Sequence, residues 1–296
     1  TPKDLIATAY WAWDCQLMAE MGKAIGRTEE AKKYRELYEG IRAAFQKEFV
    51  KPDGTVGNGS QTCYVLALHM NLLPEDGKKK AVELLVKDIM ETRKGFLSTG
   101  FLGTTYLMPV LSENGRNDVA FRLLLNDEYP SWGYMVRKGA TTIWERWNGD
   151  TGDPAMNSYN HFCYGAVSEW MYRYMAGIDT APETPGFKRS VIRPQMDERI
   201  SRVRAEYDSL YGTIVSAWER KPDGSLEMEI RIPANTSALV YVPARDKAQV
   251  TEGGRPAEEA GLRFVRTDGD SVIFDVPAGI YHIKSPGSAD VPSAIS

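Results

Sequence analysis

The chain has 296 residues, with 36 Lys and Arg against 40 Asp and Glu, a net charge of −4, and 43% hydrophobic residues. These are the proportions of a soluble globular protein long enough for one large or two ordinary domains, with no basic stripe for nucleic acid or an anionic membrane surface. No apolar run reaches the roughly 18 residues of a membrane span, so no membrane insertion is expected.

Cys15, Cys63 and Cys163 are far apart, with no Cys-x-x-Cys and only three histidines in the chain. They read as buried thiols, not as a disulfide framework or a zinc site, and no metal or other cofactor is expected. The chain opens on Thr1-Pro2-Lys3-Asp4 without an initiator Met or a signal peptide, and reads as a fragment or processed product whose compartment is left unassigned.

In chain order, Thr1 to Gly26 is a first helix, with apolar positions at Leu5, Ala9, Ala12, Leu17 and Met21. A second starts near Thr28 and carries Tyr34, Leu37, Tyr38, Ile41, Ala44, Phe45 and Phe49 at spacings of three and four, until Pro52-Asp53-Gly54 breaks it. A Gly-rich loop then leads to helices at about 61–71 and 74–93. After a second Gly-bearing loop, two more are expected at about 104–112 and 115–125. Paired helices with alternating short and long connections suggest a helical toroid.

After Leu125 the period changes. Residues 131–137 and 140–147 carry aromatic and β-branched side chains around Arg137-Lys138-Gly139 and predict a β-hairpin. In an extended run Ile143, Glu145 and Trp147 would share one face. Residues 148–154 read as a surface loop, since Asp150 and Asp153 lack the spacing of a calcium loop. A seventh helix is expected from about Ser158 to Ala176, ended by Gly177.

From Thr180-Ala181-Pro182-Glu183-Thr184-Pro185-Gly186 onward helical periodicity is lost. Short alternating segments at 190–192, 200–210, 212–220, 225–232, 238–242, 263–266, 271–276 and 279–283 predict an antiparallel β-sandwich. The tail after Ser285 reads as disordered. The expected layout is therefore α plus β in separate domains: an incomplete α/α toroid over 1–179, then a β-sandwich over 180–296.

The chemistry concentrates between Tyr129 and His161. In Thr141-Thr142-Ile143-Trp144-Glu145-Arg146-Trp147 one carboxylate is flanked by two indoles, a guanidinium and two hydroxyls. Aromatic faces stack on the C–H faces of a pyranose, polar groups bond its oxygens, and a carboxylate can act as base or nucleophile. The same composition also describes a covered strand with a surface ion pair, so composition does not decide.

Trp132-Gly133-Tyr134, Gly139 through Trp147 and Ser158-Tyr159-Asn160-His161-Phe162-Cys163-Tyr164-Gly165 together resemble the bacterial α-L-rhamnosidases of glycoside hydrolase family 78. The resemblance runs from about Asp14 through Gly177. It implies an (α/α)6 barrel followed by a small β-sandwich, an inverting mechanism and a terminal rhamnose as substrate. Twelve helices make such a barrel and about seven are expected here. The family's general acid comes from an acidic motif in the first half of the barrel, and no equivalent is found.

By the same resemblance Glu145 matches the general base and His161 a histidine that contacts the sugar, with Asn160 beside it. Trp132, Trp144 and Trp147 are candidates for platform or pocket wall. Ser98-Thr99-Gly100-Phe101-Leu102-Gly103-Thr104 resembles a loop at the mouth of the barrel, which brings in Thr99 and Gly100. Without the resemblance, Gly100 and Gly103 serve a tight turn and close packing. Tyr10, Trp11 and Trp13 are expected on a barrel wall, and Arg146 beside a carboxylate, Glu145 included.

Two other functions stay open. A polysaccharide lyase would use Tyr and His as proton acceptors, and His161 and Tyr164 fall three apart. A non-catalytic sugar-binding fragment would use Glu145 only to bond hydroxyls. A homodimer also stays open.

Overall fold

A computed structural model describes residues 1–287, so the tail expected to be disordered lies outside the described residues from 288 on. The chain divides into two compact units, Thr1–Val167 and the part from Ser168 onward.

The first unit is helical. Helix α1 (Lys3–Ala24) has Asp4 in its first turn and Lys23 in its last, which suits the helix dipole. It stops at Gly26 (φ +74°), where Arg27 N–H donates to the Gly22 carbonyl at 2.7 Å. Then follow α2 (Thr28–Phe49), α3 (Gln61–His69), α4 (Glu75–Lys87), α5 (Phe101–Glu113) and α6 (Asn117–Leu124). Helix α4 runs on into a π-helical turn, Asp88–Thr92.

The helices form two layers. α1, α3 and α5 pack side by side, while α2, α4 and α6 each fold back on the helix before them. Composition assigns the layers. Every residue of α3 from Gln61 to Ala67 is buried, as a helix covered on all sides requires. α2 buries a single stripe, Tyr38, Ile41 and Phe45, as suits an outer helix. Each such side chain contributes about 1.5–3 kcal/mol on burial.

Helix α1 is apolar on both sides, burying Leu5, Ala9, Ala12, Cys15 and Ala19 while leaving Trp11, Met18, Met21 and Ile25 exposed. The expected wall residues differ in surroundings. Trp13 packs on His69, which stacks on Tyr106 at 4.0 Å, while Tyr10 is half-buried and Trp11 is exposed. All three cysteines are buried and free, as their spacing implied.

The hairpin expected over 131–147 does not form. Ser131 instead caps a short helix α7 (Trp132–Arg137), its Oγ accepting from Tyr134 N–H at 3.0 Å, and the segment after it is irregular. The aromatic pattern that suggested strands reflects tertiary packing of indoles. The seventh helix starts at Phe162, not Ser158, because the His161 ring caps it. It is also broken, into α8 (Phe162–Gly165), Val167–Trp170 and a π-helical Met171–Met175.

Among the described residues the second unit carries nine strands: β1 (Ile178–Thr180), β2 (Arg189–Ile192), β3 (Arg202–Ser209), β4 (Gly212–Arg220), β5 (Leu226–Pro243), β6 (Thr251–Glu252), β7 (Arg255–Pro256), β8 (Arg263–Asp268) and β9 (Ser271–Ser285). Segments expected as separate strands are continuous in β5 and β9, which pair antiparallel with a register shift between Ile232 and Ser237. The shift divides the pairing of the two strands into two parts. Residues 226–232 of β5 lie between β4 and the end of β9, while 237–243 lie between β2 and its start.

Trp218, Met228, Ile230, Val240, Val242, Phe274 and Val276 belong to the core of this unit. One expectation needs correction: β2 runs parallel to β5, so the sandwich is mixed and not wholly antiparallel. A short strand not expected from the sequence, β1, ends at Thr180 where the segment read as a linker begins, and it pairs antiparallel with β2.

Gly103 sits where α5 crosses α3. A Cβ there would lie 2.5 Å from Thr62 Oγ1 and 2.8 Å from Thr99 Cγ2, whereas one at Gly100 would meet nothing within 4 Å. Gly103→Ala should therefore lower unfolding free energy by about 1–3 kcal/mol, and Gly100→Ala by less than about 0.5, in urea titrations. Equal effects would contradict this packing.

Candidate active site

Two backbone hydrogen bonds close the loop that carries the candidate residues. Glu145 N–H donates to the Ser158 carbonyl at 3.0 Å, and His161 N–H to the Ile143 carbonyl at 2.8 Å. Thr142 Oγ1 adds a bond to the Tyr159 carbonyl. Inside the loop, Arg146 donates from Nε to the Ala155 carbonyl at 3.1 Å and pairs with Asp153 at 3.7 Å, so its ion pair is with Asp153 and not with Glu145. Asp153 is held below the usual carboxylate range, first by Ala155 N–H, then by Asn148, with Arg146 helping.

Glu145 is half-buried, and its Oε2 accepts from Asn157 N–H at 3.1 Å. Among the described residues Oε1 takes no hydrogen bond. A carboxylate fixed through one oxygen and open at the other is what proton abstraction from water needs.

His161 is the N-cap of α8, its Nδ1 accepting from Cys163 N–H at 3.3 Å. That bond puts the proton of the neutral ring on Nε2, leaving a donor for an oxygen ligand. The ring is sandwiched, stacking on Phe101 at 4.7 Å and on Phe162 at 5.1 Å. From Phe101 an aromatic chain continues edge-on to Tyr164, which stacks on Trp147 at 3.9 Å. Trp147 meets Trp132 edge-on at 5.3 Å.

The three candidate indoles have different surroundings. Trp144 is buried against Gly149, where a Cβ would sit 2.6 Å from its ring. Trp132 is buried too and donates from Nε1 to the Tyr164 carbonyl at 2.8 Å. Trp147 lines a cleft of about 460 Å³ together with Arg93, Ser98, Thr99, Gly100 and Tyr129. Thr99 is itself buried and bonds Thr104 hydroxyl to hydroxyl at 2.8 Å. Asn160 is exposed, and its N–H donates to Ser158 Oγ at 3.2 Å.

Glu145 and His161 thus come together through their backbones, and Trp147, Thr99 and Gly100 through one cleft. Sequence reasoning did not single out Phe101, Asn157 or Tyr129. Phe101 was read as part of the Gly-bearing loop before a helix at about Thr104, whereas it is the first residue of α5. Among the described residues no group of three or more His, Cys, Asp or Glu is placed to hold a metal, and no helix is long and apolar enough to cross a membrane.

The bacterial α-L-rhamnosidase 6 hairpin glycosidase domain matches residues 1–175. The chain belongs to the bacterial α-L-rhamnosidase family. The C-terminal domain of the same family matches residues 177–256. An α-L-rhamnosidase of Streptomyces avermitilis is 42% identical over 94% of the chain, and one of Formosa agariphila 40% identical over 96%. The chain spans only 26% and 31% of those relatives' lengths. The crystal structure of the Streptomyces avermitilis rhamnosidase complexed with L-rhamnose superposes with a TM-score of 0.87 at 40% identity, covering 96% of this chain and 27% of that one. The rhamnosidase of Dictyoglumus thermophilum gives 0.86 at 30% identity, covering 96% and 32%. The helical unit therefore matches the six-hairpin glycosidase domain of this family, and the second unit its C-terminal β-sandwich domain.

Burial, with Cys163 and Tyr129 beside it, pushes the Tyr164 phenol up to about 12. An unfolded chain ionises tyrosine near 10, so the folded state holds this proton more tightly. The resulting stability is full below about pH 10 and is lost as pH rises towards about 12. Tyr164→Phe should flatten part of that fall in Tm and remove one late-ionising phenol from an alkaline absorbance titration. A variant that titrates like the parent would contradict the burial of this ring.

Proposed function

We propose that this chain carries the base-bearing part of an inverting glycoside hydrolase that removes terminal α-L-rhamnose from glycans or glycosides. Glu145 Oε1 takes a proton from the water that attacks the anomeric carbon, while a carboxylic acid elsewhere protonates the departing oxygen. Inverting enzymes keep the two groups roughly 6.5–9.5 Å apart so that water fits between. The acid is proposed to come from a part of the longer protein outside these 296 residues. His161 Nε2 donates to a sugar hydroxyl, and Trp147 forms a wall. Within this reading 1–179 is the catalytic part and the sandwich domain starts at Thr180.

The observation that carries the reading is Glu145 itself, pinned by Asn157 with one oxygen open, beside a His161 whose tautomer is set by its cap. The lyase reading loses ground because burial pushes the Tyr164 phenol up to about 12, which keeps it protonated near neutral pH.

The test is hydrolysis of an aryl α-L-rhamnoside by this chain and by a version extended to the relatives' length, each with and without Glu145→Gln. The extended form should turn over and lose about 10²–10⁴-fold or more on substitution, with its fold intact by circular dichroism. Near-parental activity of the variant would refute the role of Glu145. Rhamnose binding with no turnover in either form would favour a sugar-binding module instead.

A further inference from the structure

Gln61 is a polar residue at a position the core would fill with an apolar one. It opens α3 at 0% exposure, and a buried amide is costly unless its hydrogen bonds are made. Its bonds leave the helix. Oε1 accepts from Ser98 N–H at 2.8 Å, while Nε2 donates to Asp88 Oδ2 at 2.9 Å and to the Phe96 carbonyl at 3.4 Å. With a backbone donor on one side and two acceptors on the other, the amide has a single orientation.

The segment it grips has little else to define it. Residues 96–100 are neither helix nor strand. They follow the π-helical turn Asp88–Thr92 and two left-handed residues, Lys94 (φ +55°) and Gly95 (φ +86°). Asp88, which meets Gln61, is the first residue of that turn, and single π turns within α-helices frequently mark functional positions. Leu97 and Thr99 are buried while Ser98 and Gly100 are exposed, so alternate residues face inward.

The segment leads to the candidate site. Gly100 ends it, its carbonyl accepting from Thr104 Oγ1 at 2.9 Å, and Phe101 opens α5. Phe101 is one of the two rings on which His161 stacks. Glu145 is held by other bonds, through Ser158 and Asn157.

We propose that Gln61, oriented by Asp88, is a positioning residue for the His161 ring. By fixing Ser98 it fixes the start of α5, and with it the Phe101 face against which the imidazole lies. An apolar side chain at 61 would fill the same space in the core and leave Ser98 N–H unheld. The proposal rests on the reading of the function given above only for what His161 touches, a sugar hydroxyl.

The first test needs no turnover, which separates it from the test of the hydrolase itself. Ring signals of the three histidines are followed in long-range ¹H–¹⁵N spectra of this chain, with His161 assigned by His161→Gln. Gln61→Met, close in volume, should shift the His161 signals and leave those of His282, in the second unit, in place. Gln61→Glu alone sets a second carboxylate against Asp88 and should shift them too. Adding Asp88→Asn to Gln61→Glu exchanges donor and acceptor, restores the pair and should return His161 to its parental signals. Should the Gln61 variants fail to fold, Asp88→Ala, at a half-buried position, decides by the same signals and should shift them less than a change at 61. A lowered Tm with His161 unmoved would make Gln61 a packing residue and overturn the proposal. Signals that stay displaced in a folded double variant would overturn it as well. In the version extended to the relatives' length, Gln61→Met should raise KM for an aryl α-L-rhamnoside about tenfold while kcat stays within about threefold, as loss of a binding contact requires. A fall in kcat at unchanged KM would contradict action through His161. If that version hydrolyses no rhamnoside, the ring signals still decide the positioning role.

Discussion

The arrangement of the site depends on two backbone hydrogen bonds, from Glu145 N–H to the Ser158 carbonyl and from His161 N–H to the Ile143 carbonyl. No strand or helix holds Glu145, so without them its carboxylate would be on a free loop. With them, Glu145 and His161 are fixed relative to each other by the main chain. The side chains Arg146, Asn148 and Asp153 then stiffen the intervening loop through mutual hydrogen bonds and an ion pair. Interactions of this kind are individually weak at a surface, and they work here by acting on a loop already closed.

The inner helices supply the rest. α5 begins at Phe101 and α8 at Phe162, so both put aromatic side chains at a helix start, next to the loop. His161 stacks against both, which limits its ring to one orientation, and its cap bond selects the tautomer. Burial of Tyr164 and Trp147 against each other ties the same cluster to the core. Local sequence, layer packing and candidate chemistry are thereby linked through a few rings.

Much of this was legible in the sequence. Gly26 and the Pro52-Asp53-Gly54 turn marked helix boundaries because they impose backbone conformations on any fold, and the six helices before Leu125 appear where their periods place them. The region 131–147 misled because aromatic residues serve a strand and a packed loop equally well. Only tertiary contacts choose between them. The parallel pairing of β2 with β5 was hidden for the same reason, since a short alternating segment does not encode its partner's direction. At the site, the residue types at 145 and 161 carried the signal. The different surroundings of Trp132, Trp144 and Trp147 did not, because burial of an indole depends on neighbours distant in sequence.

The central claim is that Glu145 activates water for direct displacement at the anomeric carbon. It is tested most directly by proton NMR of the first sugar released from an aryl α-L-rhamnoside by the protein extended to its relatives' length. The account predicts β-L-rhamnose as the first anomer, with the α anomer growing in only at the rate of mutarotation. Initial release of α-L-rhamnose would mean net retention through a covalent intermediate and would contradict the role assigned to Glu145.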